Sequence, residues 1–193
     1  MIPQAAAQPF VSVEDYLAGE QDGQMRHEYI DGIVHAMTGA SRRHGLICMN
    51  LAVKLRPLLN HTPCQLFAND MKVRLEIHGK TLFYYPDLVL TCDPDDREDY
   101  FTTRPRLIVE VLSPHTERFD RREKLLSYIT LPSLQEYLLV AQDEPRIEVY
   151  RRTQDWLPDE YTDGTFPLAC VNAEIAVAAV YEGVFLARDG VAM

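Results

Sequence analysis

The chain has 193 residues, of which 47% are hydrophobic and 25% charged, a globular composition that excludes an intrinsically disordered chain. The formal net charge of −10 argues against a protein that holds nucleic acid tightly without sequence preference, since such binders are usually basic. The same charge is compatible with a metal-dependent enzyme whose acids bind cations and whose basic residues lie on one face.

Several features of the sequence bear on the cellular compartment. No apolar stretch approaches the roughly 20 residues that a membrane-spanning helix needs, and the N-terminal segment lacks the basic and apolar regions of a signal peptide. The cysteines, Cys48, Cys64, Cys92 and Cys170, form no CxxC pair, and scattered cysteines of this kind are typical of reduced thiols. We therefore expect a cytoplasmic protein without a disulfide framework or a membrane partner.

The first part of the chain predicts two helices with a strand pair between them. Ser12 is a good N-cap for a short helix, and Asp31-Gly32 is a strong signal for a hairpin turn. Ser41 opens a longer segment with apolar residues at helical spacing, which predicts a long helix that closes near Pro63.

The remainder of the chain predicts strands around one amphipathic helix. In chain order the predicted strands are "CQLFANDMKVRLEI", "TLFYYPDLVLTC", "RLIVEVLS", "LQEYLLVAQ" and "RIEVYRR". The helix, "HTERFDRREKLLSYITL", lies between the third and fourth strands and ends before Pro132. This order predicts a single α/β (α+β) domain over residues 1–193, built on a mixed sheet flanked by helices, with the apolar C-terminal tail packed on it.

Two acids interrupt runs that otherwise have the pattern of buried strands, namely Asp87 in "YYPDLVL" and Glu110 in "RLIVEVLS". An unpaired buried carboxylate is costly, so an acid at such a position normally has a cation or hydrogen-bond donors as partners. Two acids on neighbouring strands can hold a hard divalent cation, which lowers the pKa of a bound water. Each acid could instead bond backbone amides or pair with an arginine, and spacing alone does not separate the two interpretations.

The helix that follows Glu110 carries a polar stripe. Asp120, Lys124 and Tyr128 stand at i, i+4 and i+8 and therefore share one face. Lys124 lies where the polar side borders the apolar side, from which a lysine can reach inward to a phosphate or an attacking water. The alternative is an exposed Asp120–Lys124 pair worth only a few tenths of a kcal/mol.

These motifs together resemble a known family. "YPDLVL", "RPRLIVEVLSPHTERFDRREKLLSYITLPSLQEYLLV" and "RIEVYRR" strongly resemble the Uma family of restriction-endonuclease-like proteins, within the PD-(D/E)xK nuclease superfamily. The resemblance extends back to "HEYIDGIVHAMTGASRRHGLICMNLAVKL" and covers residues from about 10 to 155. It implies a restriction-endonuclease-like fold and a divalent-metal-dependent endonuclease that acts on DNA. We also expect the protein to be a homodimer.

The resemblance also implies roles for particular residues. Asp87 matches the metal-binding aspartate and Glu110 the second acid, with the backbone carbonyl of Val111 as a further ligand of Mg²⁺ or Mn²⁺. The acid-x-lysine motif of the superfamily is incomplete here, because Leu112 stands at the position of the lysine. Lys124 on the following helix fits the place of a substitute.

Two more residues match family positions near the site. Glu28 in "HEYIDG" and His44 in "RRHGLI" are candidate catalytic residues. A capping acid and a hydrogen-bonded core histidine would have the same pattern, so a structural role is an equal alternative.

Two groups of charged residues lie close to these candidates in the sequence. The acidic loop 93–99 can help to attract cations, but we interpret it as a solvated, flexible turn outside the metal site, because like-charged runs are usually solvated. The basic residues can form a local phosphate-binding surface or pair with nearby acids. They are Arg42, Arg43, Lys54, Arg56, Arg118, Arg121 and Arg122.

Two alternatives to an active nuclease remain open. The net charge and the missing lysine are compatible with a catalytically degenerate, nuclease-like binding or regulatory module. A metal hydrolase that uses His44 with the acids would prefer zinc, because imidazole favours borderline metals, although no HxH or HExxH spacing is present.

Overall fold

The structure is a computed structural model that describes residues 10–23, 25–113 and 117–186. Most of the N-terminal segment judged to lack a signal peptide lies outside these residues, as do residues 114–116, which include the first two positions of the predicted helix "HTERFDRREKLLSYITL". Within the described ranges, no helix has the length and apolar character that crossing a membrane requires.

Runs of strands separated by α-helices make up the described chain. The α-helices are α1 (Val13–Asp22), α2 (Arg42–Leu55), α3 (Glu117–Phe119), α4 (Leu125–Tyr128) and α5 (Val177–Val180). A π-helical segment, Asp120–Lys124, joins α3 to α4, so residues 117–128 form one continuous helix. The strands are β1 (His27–Ile30), β2 (Ile33–Ala36), β3 (Gln65–Ala68), β4 (Lys72–Ile77), β5 (Lys80–Tyr84), β6 (Leu88–Thr91), β7 (Phe101–Thr102), β8 (Pro105–Val111), β9 (Glu136–Val140), β10 (Ile147–Arg151), β11 (Pro158–Tyr161), β12 (Thr165–Leu168) and β13 (Ala173–Ala176).

The local signals at the start of the chain act as predicted. The Ser12 and Ser41 side chains each accept a hydrogen bond from the backbone N–H three residues on, and so cap α1 and α2. Asp31 and Gly32, with φ of 48° and 92°, supply the left-handed turn that joins β1 to β2. These segments follow from local sequence because their hydrogen bonds are local.

The strands form two main sheets. The larger has the order β11-β10-β9-β8-β6-β3, and the smaller has the order β2-β1-β5-β4-β7. In the larger sheet β8 and β9 are parallel, and the other neighbours are antiparallel. The fold is therefore the mixed α+β arrangement that was expected.

The two longest predicted strands are each broken and divided between the two sheets. The first yields β3 in the larger sheet and β4 in the smaller, and the second yields β5 in the smaller and β6 in the larger. Asn69, with φ of 61°, turns the first chain segment, and Pro86, which lacks an N–H for a ladder, interrupts the second. The prediction of continuous strands was wrong, and the break at Pro86 leaves Asp87 at the start of β6.

Alternate side chains of β6 and β8 pack on opposite faces of the larger sheet. Leu88 and Val109 belong to the apolar cluster under α2 and the C-terminal β12, β13 and α5. Val89 and Ile108 belong to a second cluster, formed with β4, β5 and the 117–128 helix. Apolar clusters therefore cover both faces of the larger sheet at β6 and β8.

Two of the four cysteines are not reduced thiols. Cys64, just before β3, and Cys92, just after β6, form a disulfide, whereas Cys48 and Cys170 are free and buried. The expectation of four reduced thiols was wrong for the first pair, because the antiparallel register of β3 and β6 places those positions opposite each other. The cysteines therefore no longer support a cytoplasmic location.

Candidate active site

Asp87 and Glu110 lie side by side at one edge of the larger sheet. Leu88 pairs with Val109 in the antiparallel ladder of β6 and β8, so the next position along the ladder sets Asp87 opposite Glu110. The Val111 N–H donates a hydrogen bond of 2.6 Å to Asp87 Oδ2. Two neighbouring strands thus bring both acids to one point.

Lys124 reaches these acids from the π-helical segment. Its Nζ lies 3.0 Å from Glu110 Oε1, 2.9 Å from Glu28 Oε1 and 3.3 Å from Asp120 Oδ1. The Tyr128 hydroxyl donates to the same Glu110 oxygen at 3.1 Å. Carboxylates from β1, β8 and the helix itself therefore surround one ammonium group.

The π-helical segment helps Lys124 and Tyr128 of the polar stripe to face the same carboxyl group, that of Glu110. A π turn contains more residues than an α turn, so it offsets the angular drift that i, i+4 and i+8 positions accumulate along an α-helix. Asp120 and Lys124 are only 2% and 5% exposed. The alternative of an exposed surface pair was therefore wrong.

Burial is the largest single influence on the pKa values of Glu110 and Lys124. Burial raises the pKa of Glu110 well above its usual value; Lys124 opposes this rise, and the neighbouring carboxylates add to it. Burial lowers the pKa of Lys124, but the surrounding Glu110, Glu28 and Asp120 raise it by a larger amount. The pKa of Lys124 therefore lies well above its usual value. The high pKa of Lys124 favours its cationic form, with three carboxyl groups around it.

His44 contacts Asp87 from α2. Its Nε2 lies 3.1 Å from Asp87 Oδ1. Burial lowers the pKa of His44, but the hydrogen bond and charge of Asp87 and a hydrogen bond with the Val111 backbone raise it above its usual value. The Val111 N–H points at Asp87, and because the N–H and C=O of one strand residue lie on the same side of the strand, the Val111 carbonyl also faces the site.

The residues assigned by resemblance all line one cavity of about 530 Å³. They are Glu28, His44, Asp87, Glu110, Val111 and Lys124. Sequence reasoning missed Asp120 and Tyr85 as lining residues; the helix stripe could have indicated Asp120, but nothing in the sequence marks Tyr85. Leu112, at the position of the superfamily lysine, is buried in the second apolar cluster, and Lys124 fills the space beside Glu110.

The acidic loop lies away from this cavity. It follows the C-terminal end of β6, whereas Asp87 precedes the N-terminal end. Asp96 in the loop accepts hydrogen bonds from the N–H groups of Thr103 and Arg104, at 2.9 and 3.1 Å. The loop was correctly separated from the site, but Asp96 anchors it to the backbone, so the interpretation as a simple solvated turn was wrong there.

The basic residues divide between the two interpretations. Arg42 and Arg43 begin α2, next to His44. Arg121 pairs with Glu117 and Glu148 and so has a structural role. Arg118 and Arg122 line, with Glu117 and Arg121, a shallow cavity of about 420 Å³.

Comparisons with known proteins agree with this fold. The family model Uma2, described as "Putative restriction endonuclease", matches residues 13–178, and the chain belongs to this family of restriction-endonuclease-like proteins. One uncharacterized protein of Synechocystis sp. is 36% identical over 189 residues, covering 95% of this chain and 98% of the relative. A second from that organism is 34% identical over 161 residues, covering 80% and 89%.

A solved structure has the same fold. The crystal structure of "a putative nuclease" from Anabaena variabilis matches with a TM-score of 0.71 and 15% sequence identity. The match covers 91% of this chain and 99% of that chain. The expected family and fold class are thereby confirmed.

Proposed function

We propose that this protein is a divalent-metal-dependent endonuclease that hydrolyses phosphodiester bonds in DNA. The observation that carries the proposal is the pairing of Asp87 with Glu110 beside the protonated Lys124, in one cavity. Membership of a restriction-endonuclease-like family supports a nucleic-acid substrate.

The residues of the cavity fit a hard divalent cation. Its described lining includes four carboxylates but only one lysine, so a bound cation would offset an excess of negative charge. Asp87, Glu110 and the Val111 carbonyl offer the oxygen ligands that Mg²⁺ and Mn²⁺ accept. A cation held there would lower the pKa of a bound water and offset charge at the phosphate.

The side chains around Glu110 have distinct roles in this proposal. Lys124, as a cation, holds the attacking hydroxide and stabilises the charge that develops on the phosphate during in-line attack. Glu28 accepts hydrogen bonds from the Lys124 ammonium and from the Tyr85 N–H, at 2.9 and 3.4 Å, and so orients the lysine. His44, whose Nε2 lies 3.1 Å from Asp87 Oδ1, orients the Asp87 carboxylate.

Calorimetric titration with Mg²⁺ and Mn²⁺, combined with cleavage assays on plasmid DNA, tests the proposal. We expect Asp87→Asn and Glu110→Gln to lose both metal binding and cleavage. Lys124→Met should still bind the metal but cleave at least roughly a hundredfold more slowly, because it removes a charge that acts in the transition state.

Asp93→Asn, in the acidic loop at the opposite end of β6, is the matched control and should change neither property. Full metal-dependent cleavage by Asp87→Asn would contradict the assignment. Metal and DNA binding by the wild type without any cleavage would favour the catalytically degenerate module instead.

We also propose that residues 1–193 fold as one unit and act as a cytoplasmic homodimer. Met49 and Val53 on the outer face of α2, and Leu58 just beyond it, are exposed apolar side chains that support self-association. Sedimentation should give twice the chain mass of 22.1 kDa. A monomer at all accessible concentrations would contradict the dimer, and recovery of the protein outside the cytoplasmic fraction would contradict the location.

A further inference from the structure

His44, Cys48 and Asp87 form a second group of potential metal ligands. One ligand atom from each residue lies within 4.8 Å of the others. His44 and Cys48 stand at i and i+4 on α2, with 3.5 Å between Nδ1 and Sγ, and Asp87 faces them from the start of β6. The three donors therefore come from two rigid elements rather than from one flexible loop.

The chemistry of this group differs from that of the proposed Mg²⁺ site. A sulfur, an imidazole nitrogen and a single carboxylate suit borderline metals such as Zn²⁺ and Co²⁺, whereas Mg²⁺ takes oxygen ligands. Three protein ligands with one open position make up the usual donor set of a zinc site that retains a water. The 530 Å³ cavity, which His44 and Asp87 line, provides that opening.

Asp87 belongs to both groups. Its Oδ2 accepts the Val111 N–H and its Oδ1 faces His44. An ion held at Oδ1 by His44 and Cys48 would place its charge next to the oxygens that the first site needs. Asp87 could then offer the first site only Oδ2, which already accepts the Val111 N–H, and the two dications would repel each other across one carboxylate.

We propose that His44, Cys48 and Asp87 bind a thiophilic transition-metal ion of the Zn²⁺ and Co²⁺ class, and that this ion excludes Mg²⁺ or Mn²⁺ from Asp87. The sulfur–metal bond forms as the Cys48 thiol releases its proton to the buffer, and the imidazole binds through an unprotonated nitrogen. The binding site stands on the geometry of the three side chains, whereas the exclusion of Mg²⁺ rests on the proposed function.

Cobalt absorption spectroscopy on the full chain, without added reductant, tests the binding site. Titration of the wild type with Co²⁺ should produce a thiolate-to-cobalt charge-transfer band. Cys48→Ser should lose the band, whereas Cys170→Ser, at the other buried free cysteine, should retain it. No band in the wild type, or an equal band in folded Cys48→Ser, would overturn the site.

A third variant separates this inference from the proposed function. Glu110→Gln removes a ligand of the first site only, so it should lose Mg²⁺ binding and keep the cobalt band. One equivalent of Zn²⁺ should suppress the heat of Mn²⁺ binding in the wild type but not in Cys48→Ser. Independent binding of Zn²⁺ and Mn²⁺ to the wild type would overturn the shared use of Asp87 and leave the endonuclease proposal intact.

Discussion

Glu110 shows how a single carboxylate is stabilised inside this protein. It is 4% exposed, and its Oε1 accepts hydrogen bonds from the Lys124 ammonium and the Tyr128 hydroxyl. A buried carboxyl group is tolerated only with such hydrogen-bond partners. The donors come from the helix that follows β8, so the acid and its support are close in sequence.

Removing one of these donors should measurably destabilise the fold. Tyr128→Phe leaves Glu110 with one donor fewer, and we expect the free energy of unfolding to fall by roughly 1–3 kcal/mol. Urea denaturation at neutral pH measures the change. Tyr100→Phe, at a side chain that is 52% exposed, is the control, and an equal, small effect in both variants would show that the Tyr128 hydroxyl contributes nothing.

At the scale of elements, an ion-pair network attaches the 117–128 helix to β10. Arg121 in the π-helical segment and Tyr150 both donate to Glu148 Oε2, the tyrosine at 2.9 Å. Arg146 donates to the other oxygen at 3.1 Å. The segment that carries Lys124 is therefore held against the larger sheet by a buried carboxylate.

This network predicts a pH dependence of stability. Burial raises the pKa of Glu148, but its arginine and tyrosine partners lower it by a larger amount. The pKa of Glu148 therefore lies below the usual value of 4.5. A depressed pKa stabilises the fold above that usual value, and the stabilisation is lost as the pH falls through the folded pKa. We expect Glu148→Gln to be less stable than the wild type by roughly 1–2 kcal/mol at pH 7.

The difference should shrink as the pH falls below 4.5 and reach zero only below the folded pKa of Glu148, where the carboxylate is protonated in both the folded and unfolded chains. Urea unfolding at several pH values measures it. Glu182→Gln, at an exposed position, should not show this convergence. A difference between Glu148→Gln and the wild type that is independent of pH would contradict the role of charge.

At the scale of the whole molecule, the Cys64–Cys92 bond closes the segment that crosses between the sheets. The chain leaves the larger sheet after β3, forms β4 and β5 of the smaller sheet and returns as β6. The two cysteines are separated by 28 positions and lie at the outer ends of β3 and β6, the strands that flank this excursion. The disulfide therefore links β3, after which the excursion begins, to β6, with which it ends.

Loss of this bond should lower stability through the unfolded chain. For a loop of this length the Cys64→Ser/Cys92→Ser double variant should lose roughly 3–4 kcal/mol. Thermal unfolding with and without dithiothreitol provides an internal control, because the reductant should lower the Tm of the wild type alone. An equal effect of the reductant on the double variant would contradict this origin.

Much of the fold could be predicted because its signals are local. The Ser12 and Ser41 caps, the Asp31-Gly32 turn and strands β8 to β10 depend on neighbouring residues or on unbroken apolar patterns. The division of two predicted strands between sheets could not be predicted, because each half keeps the pattern of a strand. Only pairing with distant partners decides which sheet each half joins.

The sequence by itself determined the family, the fold class and the candidate acids, because those depend on motifs and on acids placed within apolar strand patterns. Tertiary structure decided that Asp120 and Lys124 are buried beside Glu110. It also decided that Cys48 lies within reach of Asp87 and that Cys64 meets Cys92. These contacts join residues on different elements, and their distances are set by strand register and helix packing, which no local pattern encodes.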